Sequence, residues 1–297
     1  MPLVSMKPML AAARRAGYGI GAFNIVDYNS ARAVVRAAEQ MSAPVIVQTS
    51  VKTVKFWGAA AIAAWMRQLT PNSPIPVALH LDHCTALDVI EPCIAAGWTS
   101  VMIDASSKPF EENLALTKKV LDMAEPAGVG VEAELGEIGG VEDDLRVDDE
   151  DAHLVDPEKA MVFCQMPLAV FAPAIGTAHG IYKSKPRIAF DRLETISRRT
   201  SMPFALHGGT GLTDDVFHRC IKLGCAKINI STQLKHSFID AFVEYHLAKR
   251  EYEPLKPLGA QFERMTQDVV ELIRKFGGEG HAEDFRSQSQ AQGHDAN

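Results

Sequence analysis

Apolar residues in this chain come in short continuous runs. Between them lie stretches in which apolar residues recur every three or four positions. Gly19-Ile-Gly-Ala-Phe-Asn24-Ile is the first run and Pro44-Val-Ile-Val-Gln-Thr-Ser50 the second. Pro76 to His83, Ser100 to Asp104 and Val129 to Gly136 follow. Leu168 to Ile175, Pro203 to His207 and a last run ending Lys227-Ile-Asn229-Ile-Ser231-Thr232 complete the set. Such runs, bounded by Gly, Pro and polar residues, predict strands buried on both faces. Pro173 blurs the limits of the sixth.

The intervening stretches predict helices. Ala31, Val34, Val35 and Ala38 fall at helical spacing within Asn29 to Met41. A helix from about Ala59 stops before Thr70-Pro71, and the next is closed by Gly97. Pro109 opens another, and Asp156-Pro157-Glu158 reads as an N-cap and first turn. Asp191 to Arg199 and Thr213 to Leu223 are helical too. A long acidic loop, Gly139 to His153, follows the fifth strand.

Eight strands alternating with helices predict a parallel α/β architecture. Eight units favour a closed (β/α)8 TIM barrel over a doubly wound sheet, and no Gly-x-Gly-x-x-Gly follows the first strand. The expectation is one barrel domain over residues 1–276. It includes an added C-terminal helix, about Ala260 to Phe276, outside the barrel. Residues 277–297 are polar and expected to be disordered.

The chain has 297 residues, 47% of them hydrophobic, which suits one barrel-sized core. A net charge of −7 gives no reason to expect nucleic acid or an anionic membrane as partner. An anionic substrate must therefore be met by local features. No apolar run approaches the roughly 20 residues of a membrane span. Met1 to Met9 lacks the long apolar core of a signal peptide. The five cysteines, Cys84, Cys93, Cys164, Cys220 and Cys225, form no Cys-x-x-Cys pair, which fits a reduced, cytoplasmic setting.

Active sites of such barrels lie at the C-terminal ends of the strands. Asp82 and His83, Asp104, Glu134, His179 and Gly180, His207, and Asn229 to Thr232 stand there. The three histidines are 96 (179 − 83) and 28 (207 − 179) residues apart, a spacing that says little alone. Their shared place at strand ends says more. Three neutral imidazoles with an open position suit a catalytic zinc ion. The amides and hydroxyls of Gly208, Gly209, Thr210 and Asn229 to Thr232 suit a phosphate. His80, three residues before His83, should face away from it and read as a buried core histidine.

Several segments, in this order, resemble the class II, zinc-dependent ketose-bisphosphate aldolases. They are Leu81-Asp-His83, Ser100-Val-Met-Ile-Asp104-Ala-Ser, Val131-Glu-Ala-Glu134-Leu-Gly and Gly139-Gly-Val-Glu142-Asp. Gly176-Thr-Ala-His179-Gly180, Leu206-His207-Gly-Gly-Thr210-Gly and Lys227-Ile-Asn229-Ile-Ser231-Thr232 complete them. The resemblance runs from about Asn24 to Phe276. It implies a (β/α)8 barrel that reversibly cleaves a fructose- or tagatose-type ketose 1,6-bisphosphate. The products would be dihydroxyacetone phosphate and an aldehyde such as glyceraldehyde 3-phosphate.

The resemblance assigns His83, His179 and His207 to the catalytic Zn2+. It makes Asp82 the acid/base at the C4 hydroxyl and Glu142, on a mobile loop, the group that moves the C3 proton. Asn24, Ser50, Gly180, Gly208, Gly209, Thr210, Asn229, Ile230, Ser231 and Thr232 match substrate-binding positions. Asp104 and Glu134 match positions where some members hold a second divalent ion. A monovalent cation (Na+ or K+) near the phosphate is also implied. So is a homo-oligomer, dimer or tetramer, for which Ala260 to Phe276 is a candidate contact.

One departure concerns the substrate. After Ser50 the chain reads Val51-Lys52-Thr53-Val54-Lys55, more basic than better-known members. Lys52 and Lys55 either bind a distal phosphate or lie on the surface. Gly208-Gly209-Thr210 looks more like the fructose-type members than the tagatose-type His-Gly-Ala-Ser. Two other readings stand beside this one: a non-catalytic partner subunit of such an aldolase, and a related zinc lyase or hydrolase.

Overall fold

The computed structural model describes residues 3–142, 145–147, 153–182 and 184–285, with only the backbone course of 141, 142 and 145–147. Eight parallel strands close into a barrel. They are β1 (Ile20–Asn24), β2 (Val45–Ser50), β3 (Val77–Cys84), β4 (Ser100–Ile103), β5 (Gly130–Leu135), β8 (Val170–Pro173), β10 (Phe204–Leu206) and β11 (Cys225–Ile230). The ring closes where β1 pairs with both β2 and β11.

Alternation along each strand sorts the side chains. Val77, Leu79 and Leu81 of β3 point outward into the main core under the helices. Ala78, His80 and Asp82 are the intervening residues, and His80 and Asp82 meet polar partners from other strands. At the barrel floor Ala22, Ala78, Ala169, Ala172, Ala205 and Ala226 leave room at the centre. Helix α1 (Met6–Ala16) fills it with Met6, Met9 and Leu10. This helix is absent from the reading of the sequence. Ser5 caps its start by accepting from the Lys7 amide, and Gly17 ends it.

Helices α2 (Tyr28–Gln40), α4 (Ala59–Leu69), α5 (Leu87–Ala95), α6 (Phe110–Ala124), α7 (Pro157–Cys164), α8 (Phe190–Ser197) and α9 (Asp214–Lys222) alternate with the strands. A short extra helix, α3 (Val51–Trp57), follows β2 directly and carries Lys52 and Lys55 exposed at the barrel mouth. Trp57 Nε1 donates to the Val26 carbonyl at 2.8 Å and ties α3 to the loop after β1.

Three expectations meet the structure in the C-terminal third and the acidic loop. First, α10 (Thr232–Lys249) follows β11, and α11 (Leu255–Lys275) packs between it and α2. Helix α11 is the added C-terminal helix expected outside the barrel, beyond the eighth β/α unit. Met265, Val269, Leu272 and Ile273 belong to the main core. Helix α10 carries the exposed apolar residues Ile239, Phe242, Val243 and Leu247. Second, the tail is ordered at its start. The Gly280 and Ala282 amides donate to Met41 and Ser42, each at 2.9 Å, and His281 stacks on Tyr18. The rest, 286–297, lies outside the described residues. Third, the acidic loop begins as strand β6 (Gly139–Glu142), which pairs with β7 (Leu145–Val147) and with β9 (Ala178–His179). Among the described residues no helix is long and apolar enough to cross a membrane.

Candidate metal centre and substrate pocket

Regular alternation along β3 would send Asp82 into the barrel and His83 out of it. The chain breaks that rule at His83, whose φ is +45°, with a shift of register between Leu81 and Cys84 in the pairing with β4. Both residues therefore face the mouth. This corrects the expectation for His80. It is buried as expected, but it shares one hydrogen-bonded interior with His83. His80 Nε2 is 3.2 Å from Glu132 Oε2, and Glu132 Oε1 is 2.7 Å from His207 Nε2.

His83, His179 and His207 come together, each with a ring nitrogen within 4.8 Å of the others. Two carboxylates orient two of the rings. Asp104 Oδ2 lies 2.7 Å from His83 Nδ1, and Glu132 Oε1 holds His207 Nε2. Each carboxylate accepts, so each ring turns its other nitrogen inward, as metal-binding histidines do. Those inner nitrogens, His83 Nε2 and His207 Nδ1, are 2.7 Å apart. A cation among the three rings would take the lone pairs these nitrogens turn inward. Burial and the charge of His83 push His207 down to about 4, so it is neutral at pH 7, the state a ligand needs. The donor set and its carboxylate backing fit zinc.

A second group, His83, Asp104 and Glu134, also offers donor atoms within 4.8 Å. Burial pushes the Asp104 carboxyl up, but hydrogen bonds from His83 and Ser106 overcome this and hold it ionised. Glu134 is different. Burial and the neighbouring charge of Asp104 push its carboxyl well above the ordinary range, and its Oε2 has no hydrogen-bond partner. A buried polar atom left over in this way fits a site that gains a cation.

Glu134 carries a prediction. Above the unfolded carboxyl's pKa of about 4.5 the metal-free native state keeps a proton that the unfolded chain loses. Stability is therefore present at low pH and lost as pH rises toward the folded pKa. Glu134→Gln removes that loss. In chelator, the variant is expected to gain on wild type progressively as pH rises above about 4.5. Thermal unfolding across that rise checks it. A variant less stable at every pH contradicts the assignment.

Asp82 sits in a cage of amides. Asn24 Nδ2 and Gln48 Nε2 donate to its Oδ2 at 3.2 and 3.0 Å, and Asn229 Nδ2 donates to its Oδ1 at 3.1 Å. Gln48 also donates to Asn24 Oδ1 at 2.7 Å. The sequence reading does not single out Gln48, although a glutamine inside the apolar run Pro44 to Ser50 is the available signal. Ser50 lies half-buried beside Asp82 in the β2–β3 register.

Next to the histidines lies a pocket. His179, Gly180, Gly208, Gly209, Thr210, Asn229, Ser231 and Thr232 line it. Gly208 has φ +65°, and a Cβ there would meet the Ala178 carbonyl at 2.5 Å. The Tyr182 hydroxyl donates to the Gly208 carbonyl at 2.8 Å and accepts from the Ala178 amide at 3.0 Å, locking this loop to β9. Tyr182 too is absent from the sequence reading. Ser231 Oγ is buried without a partner. Ile230 turns its side chain into the main core, so only its main chain can serve a ligand. The start of α10 borders the pocket, where helix amides favour an anion.

Gly140 brings β6 against β9. Its φ is +95°, and a Cβ would collide with the His179 carbonyl. The backbone of Glu142 ends β6 two residues later, while its side chain lies outside the described residues. Cys84, at the end of β3, is pushed up to about 11 by burial and is a thiol rather than a nucleophilic thiolate.

Comparison with known proteins agrees with this geometry. The profile of the family described as "Fructose-bisphosphate aldolase class-II" matches residues 4–281. A sulfofructosephosphate aldolase of Alkalicoccus urumqiensis is 40% identical over 294 residues, covering 96% of this chain and 100% of that protein. A probable fructose-bisphosphate aldolase of Bacillus subtilis (strain 168) is 40% identical over 287 residues, covering 95% and 100%. Among solved structures, the YdjI aldolase of Escherichia coli K12 superposes with a TM-score of 0.82 at 30% identity, covering 94% of this chain and 99% of that one.

Proposed function

This chain belongs to the class-II fructose-bisphosphate aldolase family and is an aldolase. From that premise we propose that it reversibly cleaves the C3–C4 bond of a ketose 1,6-bisphosphate, using zinc. The products are dihydroxyacetone phosphate and an aldehyde such as glyceraldehyde 3-phosphate. The observation that carries this is the meeting of the histidine trio, the caged Asp82 and the glycine-lined pocket at one barrel mouth.

A zinc ion held by His83, His179 and His207 would supply Lewis-acid stabilisation of the negative charge that develops on the carbonyl oxygen as the bond breaks. The protein's own groups do the rest. The Gly208 to Thr210 amides, Ser231 and Thr232 hold the phosphate of the ketone half beside the trio. Asp82 takes the C4 hydroxyl proton. Its Oδ2 already accepts two amide bonds, while Oδ1 accepts one from Asn229 and keeps a lone pair for that proton. Glu142, carried on β6 beside His179, moves the C3 proton. Water is excluded by the buried walls of the site.

A second divalent ion on His83, Asp104 and Glu134 belongs to the same proposal, supported by the partnerless Oε2 of Glu134. A monovalent ion, Na+ or K+, near the phosphate rests on the family resemblance. We place the enzyme in the cytoplasm as a homo-oligomer. The exposed stripe Ile239, Phe242, Val243 and Leu247 on α10 supports contact with a second copy.

The aldehyde half faces Ser50 and α3. Lys52 and Lys55 are exposed there and would favour a second anionic group. A 40% identical relative is named for a sulfofructose phosphate, so a sulfonate in place of the distal phosphate is the second reading. The purified protein alone should be given fructose and tagatose bisphosphates, their 1-monophosphates and 6-sulfofructose 1-phosphate. Release of dihydroxyacetone phosphate is expected from at least one, and the aldehyde released identifies the other half. Borohydride should trap no lysine adduct. Among the described residues Lys227 is the one buried lysine, and it is held by Glu132 and Asn229. No turnover without another protein would favour a partner subunit, and a trapped adduct would overturn the metal mechanism.

A further inference from the structure

We infer that Lys227 is a positioning residue that sets the direction of the hydrogen bond from Asn229 to Asp82. The inference rests on the reading of Asp82 as the group that takes the C4 hydroxyl proton. Lys227 is fully buried at the barrel centre, below the mouth. Its Nζ lies 2.7 Å from Asn229 Oδ1, 2.9 Å from Glu132 Oε2 and 3.9 Å from Asp82 Oδ1.

Donors and acceptors decide the orientation. An ammonium only donates, and an ionised carboxylate only accepts. Asn229 stands between one of each, with one oxygen and one NH2. A single orientation satisfies both neighbours, with Oδ1 toward Lys227 and Nδ2 toward Asp82 at 3.1 Å. The reversed amide would set NH2 against NH3+ and oxygen against carboxylate. Glu132 keeps the ammonium in place from the opposite side, through the 2.9 Å ion pair. Lys227 thus leaves Asp82 Oδ1 with one amide donor and one free lone pair. A glutamine at 227 both donates and accepts, so it would let Asn229 turn and withdraw its NH2 from Asp82.

The consequence is confined to one proton. In cleavage the C4 hydroxyl loses its proton to Asp82, the C3–C4 bond breaks, and C3 is later protonated to give dihydroxyacetone phosphate. Exchange of the C3 proton of dihydroxyacetone phosphate with solvent uses the later step alone and does not need Asp82. A residue that acts through Asp82 should separate these two rates. A residue that only holds the barrel together should not.

The test measures both rates in Lys227→Gln, using the best ketose of the panel for cleavage and deuterium exchange into dihydroxyacetone phosphate for the half-reaction. Cleavage kcat is expected to fall about 10–100-fold, the range for groups that orient active-site residues. Exchange, KM and bound zinc are expected to stay within about threefold of wild type. Lys227→Arg remains a pure donor and should recover most of the cleavage rate. Parallel loss of both rates, or cleavage within about threefold of wild type, overturns the inference. If circular dichroism shows Lys227→Gln unfolded, Lys227→Met, of similar length and with no group that donates to Asn229, enters the same two assays. The same split of rates is then expected, and the same parallel loss or unchanged cleavage overturns the inference. Failure of the underlying reading looks different: wild type itself would then cleave no ketose on the panel.

Discussion

Replacing His83 with alanine is expected to lower cleavage by about 10³-fold or more and to strip the bound metal. The trio loses one of its three donors, and the second group of donors shares the same residue. Lewis-acid stabilisation of a developing oxyanion amounts to several kcal/mol, and about 4 kcal/mol corresponds to 10³ in rate. The fold should persist. Asp104 loses its 2.7 Å partner but keeps its bonds from the Ser106 amide and hydroxyl. A loss of about 1–3 kcal/mol in stability is expected for a buried acceptor deprived of one donor. Zinc content and kcat of the purified variant check this together. Full zinc with activity within tenfold of wild type would contradict it.

The second large effect is expected from Asp82→Asn. Here the metal should stay, because Asp82 touches amides rather than the trio. The shape is kept but the proton acceptor is lost. An asparagine has one oxygen for three amide donors, so its NH2 must oppose at least one of them. General base catalysis is worth about 10²–10⁴-fold, and kcat is expected to fall by that amount with KM little changed. Loss of zinc in this variant would mean instead that Asp82 serves to orient its neighbour His83.

What can be read from the sequence follows from where polar residues interrupt apolar runs. The eight strands are legible because each run is bounded by turn residues and long enough to cross the barrel once. Strand ends then place His83, His179 and His207 at one mouth, although their sequence separation carries no such information. The His83 backbone is not legible. Its positive φ reverses the alternation, and no glycine marks the place. Gln48, Glu132 and Lys227 escape notice because each lies inside a strand that reads as buried. Only the structure shows that they face one another across the interior. Helix α10 escapes for a further reason. Leu234 and Ala241 are buried, while Ile239, Phe242, Val243 and Leu247 are exposed. Apolar residues on several sides of a helix blur the single stripe that periodicity detects.

The proposed metal and the pocket make different demands on the same few residues. His179 belongs to both, since it is one of the trio and also lines the glycine-rich pocket. Its position depends on β9, which is held by Gly140 of β6 and by Tyr182. On the proposed reading, the phosphate of the ketone half would thereby lie beside the ion, the arrangement that orients a carbonyl toward a Lewis acid.

The proposed chemistry stands or falls on a zinc ion held by the histidine trio. Release of dihydroxyacetone phosphate by the purified protein should be followed before chelation, after it, and after zinc is returned. Cleavage is expected to vanish on chelation and to recover as zinc approaches one ion per chain. Undiminished cleavage by protein shown to contain no metal would contradict a role for zinc.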